Sequence, residues 1–163
     1  MKLTSIASLF SLVYCAPTNL GRRDGQPYYG LITVHSGNID VHLRPVKVNP
    51  ASFLSIEGFT DFDFNLEDVG SLYSITPSHF GYLTLNKDNT LQVFETTSNA
   101  DCALDHRVFK VNNSSSFGVC LDNNLIYYLG TNEFPSCQNL VGVELLGFAS
   151  DNSDISSEVI GKL

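Results

Sequence analysis

The sequence predicts an all-β fold, a single compact domain of about 11–12 short strands built as a trefoil-like barrel or a sandwich. Three observations carry this. Short apolar runs recur at roughly ten-residue spacing along the chain. Clusters of Asn, Asp, Gly, Ser and Pro punctuate them. Beyond the first fifteen residues, no window shows helical periodicity with matching caps.

In chain order, Tyr28–Val34 is the first strand-like run, closed by Ser36-Gly37-Asn38. Val41–Val48 follows, ended by Asn49-Pro50, then Phe53–Ile56, ended by Glu57-Gly58. Phe59–Leu66 alternates almost perfectly: Phe59, Phe62, Phe64 and Leu66 interleave with Asp61, Asp63 and Asn65, which predicts one buried and one wet face. Leu72–Ile75, Phe80–Leu85 and Leu91–Thr96 come next, with Lys87-Asp88-Asn89 as a turn. Val108–Val111, Phe117–Leu121, Leu125–Leu129 and Val141–Phe148 complete the set, separated in part by turns at Asn112–Ser116 and Asp122-Asn123-Asn124. The adjacent Tyr127-Tyr128 pair predicts one ring inward and one outward.

Both ends read differently from this body. Met1–Cys15 has a charged start at Lys2 and an apolar core of Ile6, Ala7, Leu9, Phe10, Leu12 and Val13. Val13 and Cys15 stand at the −3 and −1 positions of a secretory cleavage site. Arg22-Arg23 is a dibasic pair of the kind cut late in secretion. The expected organisation is a signal peptide over 1–15, a short propeptide over 16–23, a β domain over 24–150 and a polar flexible tail over 151–163.

Charge excludes some partners. Removing Lys2, Arg22 and Arg23 takes three of nine cations and none of the seventeen carboxylates. Six cations then face seventeen carboxylates, a surface that repels nucleic acid and anionic lipid. No later apolar stretch is long enough to span a bilayer. The expectation is a soluble, exported protein with neither nucleic acid nor membrane as partner.

Cys15 leaves with the signal, so Cys102, Cys120 and Cys137 remain. In an oxidising compartment two pair and one is left over. There is no Cys-x-x-Cys and no His at ligand spacing from a Cys, which argues against zinc. The carboxylates Asp61, Asp63, Glu67 and Asp68 lack the oxygen-ligand spacing of a calcium loop. Asp61 and Asp63 share the solvent side of a strand, whereas acid–base chemistry needs carboxylates converging across a cleft. His35, His42, His79 and His106 stand without a flanking nucleophile motif. The expectation is a non-enzyme without metal or cofactor.

Asn112-Asn113-Ser114-Ser115 holds two overlapping N-glycosylation sequons, at Asn112 and Asn113, in a turn segment. Adjacent glycans would clash, so one site is expected to be filled. Outward Tyr side chains offer surfaces for stacking on sugar rings.

The segments Phe117–Cys120, Leu125–Gly130, Cys137 and Val141–Leu145 together are similar to the C-terminal domain of fungal Pir-type cell-wall mannoproteins. In that domain a Cys ends a strand, an aromatic strand follows, and a second Cys comes sixteen residues later, before a Val-rich strand. Sixteen residues likewise separate Cys120 from Cys137. A further family Cys is replaced here by Ser150, and its early partner is also missing, as for the loss of one whole bridge. The resemblance therefore favours a Cys120–Cys137 bridge and leaves Cys102 unpaired or intermolecular. Cys102–Cys120 stays open as the rival pairing. Tyr29–Gly37 resembles the first strand of related yeast wall proteins, and the signal-plus-dibasic layout is similar too. Asp24-Gly25-Gln26 resembles the core of the Pir repeat, whose Gln is ester-linked to wall glucan, although its flanks depart from the repeat and it occurs once. The likeness covers Tyr29–Ser150 and is best over Phe117–Ser150.

What the resemblance implies is a secreted cell-wall mannoprotein, a structural constituent of the fungal wall whose partners are glucan or other wall proteins. The alternative is an extracellular glucan-binding module without catalysis. A secreted hydrolase would need a cleft joining Asp61 or Asp63 to a second carboxylate.

Overall fold

The computed structural model describes residues 28–35, 37–67, 70–96 and 98–149. Cys15, Arg22, Arg23, Gln26, Asp68, Ser150 and the tail over 151–163 lie outside the described residues, as do the signal and propeptide segments.

The described chain is all-β and holds thirteen strands. They are β1 (Tyr29–Val34), β2 (Lys47–Val48), β3 (Leu54–Ser55), β4 (Thr60–Asp61), β5 (Phe64–Leu66), β6 (Leu72–Thr76) and β7 (His79–Leu85). There follow β8 (Leu91–Phe94), β9 (Cys102–Asp105), β10 (Val108–Val111), β11 (Phe117–Cys120), β12 (Ile126–Tyr128) and β13 (Leu140–Ala149). All pairing is antiparallel.

The main sheet runs β12-β11-β13-β1-β5-β6-β7-β8. Its two ends meet. Tyr128 N donates to Asn89 O at 2.8 Å, and Thr90 bridges Tyr127. The path thus closes into a ring of eight strands, the barrel alternative rather than the open sandwich. Closure removes the unpaired edges that an open sheet leaves to be covered. The β9–β10 hairpin joins the ring through Val108 opposite Leu146. A small β3-β2-β4 sheet is tied to both sides of the seam, by bridges from Phe53 to Gln92 and from Ser55 to Leu125.

Turn chemistry explains the hairpins. Pro77-Ser78 joins β6 to β7, with Ser78 in the left-handed region at φ 67°. Asn89 takes φ 67° before β8, a conformation Asn tolerates better than most residues. Asn112-Asn113 forms the two-residue turn between Val111 and Ser114, both at positive φ as a type I′ turn requires.

A chain of aromatic rings threads the core. Phe62 packs on Phe64 at 5.2 Å between centroids, Phe64 on Phe109 at 5.9 Å, Phe109 on Phe117 at 5.8 Å and Phe117 on Tyr128 at 5.9 Å. Leu31, Leu54, Leu72, Leu83, Leu91, Ile126 and Leu145 close around them, all essentially inaccessible.

Four local expectations need correction. Val41–Val48 is a strand only at Lys47–Val48. Before it, a loop lies against β1, where the Thr33 hydroxyl donates to Val41 O and Leu43 N donates to Thr33 O. Val41 is buried there by the loop rather than by a strand face. The Phe59–Leu66 run breaks at Phe62-Asp63, and Phe59 is 93% exposed: it reads with the apolar positions by residue type, but strict alternation places it on the face of Asp61 and Asp63, opposite Phe62 and Phe64. Tyr127 and Tyr128 are both buried, because the closing seam covers the outer ring. Finally, Cys102–Asp105 is a strand that the run pattern missed. Its turn is His106-Arg107, both at positive φ and without the Gly or Asn that marks such a hairpin.

Candidate functional site

Three of the sites expected from sequence fall at separate places in the fold. The first is the corner where β11 ends. Cys120 and Cys137 form a disulfide with Cα atoms 6.0 Å apart, so the rival Cys102–Cys120 pairing is not formed. Cys120 is buried and Cys137 half-buried. Asp122, which the sequence reading took only as a turn residue, organises this corner. Its Oδ1 accepts the Asn139 side-chain amide at 2.6 Å, and its Oδ2 accepts Gln138 N and Asn139 N at 3.3 Å each. These hydrogen bonds, led by the Asn139 side chain, hold the Asp122 carboxyl below its ordinary value. Oδ2 also lies 3.7 and 3.8 Å from the two sulfurs. Among the described residues, Cys120, Asp122 and Cys137 are the grouping with atoms close enough to hold a metal. With the sulfurs bonded to each other, no thiolate is left to act as ligand.

Cys102 is the free cysteine and is 3% exposed, on β9. Burial, and secondarily the charge of Asp101, pushes its thiol up to about 12. An intermolecular disulfide through Cys102 would need the thiol at the surface, and in the folded chain it is packed in the core.

Asn112 and Asn113 are exposed at the tip of their turn. The two side chains differ. Asn112 Oδ1 accepts Asp101 N at 3.0 Å, whereas Asn113 makes no such bond. The carboxylates Asp61, Asp63 and Glu67 do not converge: Asp61 is exposed, Asp63 is half-buried beside β5, and Glu67 accepts the Ser71 hydroxyl at 3.1 Å.

The structure also assembles a groove that no run of sequence announces. Its volume is about 700 Å³, and it is lined by Glu67, Ser71, Tyr82, Thr96, Asp101 and Asn112 among others. It forms where β7 continues past the end of β6. There the 98–100 segment takes over the vacated edge: Asn99 Oδ1 accepts Leu85 N at 2.7 Å, Asn99 Nδ2 donates to Leu85 O at 2.8 Å, and Ser98 Oγ donates to Leu83 O at 3.0 Å. Those polar groups are consumed in building the wall. The Tyr82 and Thr96 hydroxyls and the Asp101 carboxylate make no hydrogen bond among the described residues.

At the groove's edge lies a row of side chains in cross-strand register. Asn65 stands opposite Tyr73, Tyr73 opposite Tyr82, and Tyr82 opposite Phe94. Tyr73 and Tyr82 meet edge to face at 5.1 Å. Gly81, which precedes Tyr82 on β7, takes φ 149°, and a side chain there would run into the Phe94 backbone. Asn65 Oδ1 is buried without a hydrogen-bond partner.

No family model matches the chain, and no curated protein or solved structure is significantly similar to it.

Proposed function

We propose that the chain is a secreted mannoprotein that serves as a structural constituent of the fungal cell wall, without catalytic activity. One observation carries the reading: Cys120 is bonded to Cys137, the pair that the Pir-type resemblance implies. Such a bridge belongs to an oxidising compartment. Two features support it further. The sequons stand on an exposed turn, open to N-linked mannose. The groove beside Tyr82 is lined by no histidine or cysteine. No helix of the described residues is long and apolar enough to cross a membrane.

Retention in the wall follows from what is left free. Burial of Cys102 removes the mixed-disulfide route, leaving a Gln26 ester or non-covalent attachment. The test is fractionation of the tagged full chain expressed in a yeast. It should enter a wall pool released by detergent or mild alkali, and reductant alone should not release it. Recovery in the medium alone refutes the wall role.

A second reading, an extracellular module that binds glucan, is favoured by the aromatic row beside the groove.

A further inference from the structure

We propose that the groove between the β6–β7 edge and the 98–101 segment binds a neutral hexose chain, with Tyr82 as stacking surface and Asp101 as hydroxyl acceptor. The proposal deepens the carbohydrate-binding reading above and rests on it for the class of polymer.

Three features select this ligand. The groove has an aromatic side chain at its edge but polar walls, the pairing that suits a sugar ring with its apolar C–H face and equatorial hydroxyls. Its unused polar groups are a tyrosine hydroxyl, a threonine hydroxyl and a carboxylate. The first two donate and accept, and the third accepts from a hydroxyl with the added strength of an ionised partner. No Lys or Arg lines it, while Glu67 and Asp101 both do, so phosphate, sulfate and uronate are repelled.

The framework is also preformed. Tyr82 is braced by Tyr73 on one strand and stands in register with Phe94 on the next, so its ring loses little freedom on binding. Asp101 is fixed at its backbone by Asn112, whose Oδ1 accepts Asp101 N at 3.0 Å and whose N–H donates to Asp101 O at 2.7 Å. An open groove, rather than a closed pocket, admits the middle of a chain as readily as its end. Because Asn112 lines the groove, a glycan on Asn112 would crowd it, whereas Asn113 is not one of the lining residues.

The experiment is calorimetric titration of the secreted full chain, stripped of N-glycans enzymatically, with a β-1,3-glucan hexasaccharide and, separately, a linear mannose hexasaccharide. Saturable binding of either hexasaccharide is expected, and the two arms say which hexose is preferred. Tyr82→Ala should weaken it about tenfold, as for the loss of one stacked ring. Asp101→Asn should weaken it severalfold while leaving the fold intact, which covers the case in which Tyr82→Ala disturbs its Tyr73 partner. Phe134→Ser, exposed and away from the groove, should bind as the parent does. Absence of binding to both sugars, or affinity unchanged in both Tyr82→Ala and Asp101→Asn, overturns the proposal. The fractionation is independent of this outcome: loss of binding on Tyr82→Ala supports the groove whichever pool the protein occupies, and undiminished binding refutes it even for a protein held in the wall.

Discussion

Asn139 donates its side-chain amide to the Asp122 carboxylate at 2.6 Å, across the loop that Cys120 and Cys137 close covalently. Two kinds of bond therefore fasten one corner, one sensitive to proton concentration and one to reductant.

The first prediction concerns acid. The folded carboxyls of Asp122 and Asp105 are both depressed, the former chiefly by Asn139 and the latter chiefly by the Lys110 ammonium at 2.7 Å and by His106. A depressed carboxyl stabilises the fold above its unfolded value, near ~3.9, and that contribution is lost as pH falls through the folded value. Thermal melts from pH 7 down to pH 3 should show a falling midpoint at the acid end. Asp122→Asn should flatten that limb, and a limb unchanged in Asp122→Asn would refute its role.

Breaking the bridge should cost more. Replacing Cys120 and Cys137 together by Ala is expected to lower unfolding stability by about 3 kcal/mol, given the loop they close. Urea titration of the parent with and without reductant should show a similar difference. Reductant should act on an intact fold, since Cys137 is half-buried rather than sealed.

Cys102 should behave as a core residue. In native buffer at pH 8 it should not react with an aromatic disulfide reagent, because the thiol is buried and held up to about 12. In denaturant without reductant, one thiol per processed chain should react. Rapid labelling of the native chain would show that the β9 edge is open.

Phe109 lies between Phe64 and Phe117 in the line of core rings. Phe109→Ala should destabilise by about 3–5 kcal/mol, as large-to-small changes at sealed aromatic sites do. Phe59→Ser, at a surface ring, should change stability within about 0.5 kcal/mol. Chemical denaturation of the two variants separates these cases.

The sequons make a further prediction. Expressed through a yeast secretory pathway, the protein should carry one N-glycan at the turn, removed in full by an Asn112→Gln, Asn113→Gln double variant. Asn113→Gln alone should remove most of it, because the Asn112 side chain is committed to Asp101. Gel mobility before and after endoglycosidase reads this directly.

Most strands were legible because local pattern and global position agree in them. Tyr29–Val34, Leu72–Thr76 and Leu91–Phe94 are bounded by residues that favour turns, and β6 and β8 alternate buried with half-exposed or exposed positions as strands with one wet face do. Phe59 misled because residue type groups it with Phe62, Phe64 and Leu66, although its position shares the face of Asp61 and Asp63. Cys102–Asp105 was hidden because its turn uses His106 and Arg107 in a conformation that neither prefers. The disulfide came from a resemblance, not from spacing alone. The groove had no sequence signal: Glu67, Tyr82 and Asp101 meet only through strand register and the course of the 98–101 segment. A cross-strand row such as Tyr73–Tyr82–Phe94 can be read from sequence once hairpin register is known: here the Pro77-Ser78 turn sets the first pair and the turn at Lys87-Asp88-Asn89 the second.

The pairing of β1 with β13, from Tyr29 opposite Ala149 to Val34 opposite Glu144, has a kinetic consequence. Among the described strands, the first to be synthesised must wait for the last before this edge is paired. Contacts between such distant parts of a chain are costly to form and slow to find. Until then, the apolar residues Leu31 and Ile32 have no neighbour on one side. The β1 edge of a nascent chain therefore stays open until β13 arrives, and only then does this part of the sheet lock shut.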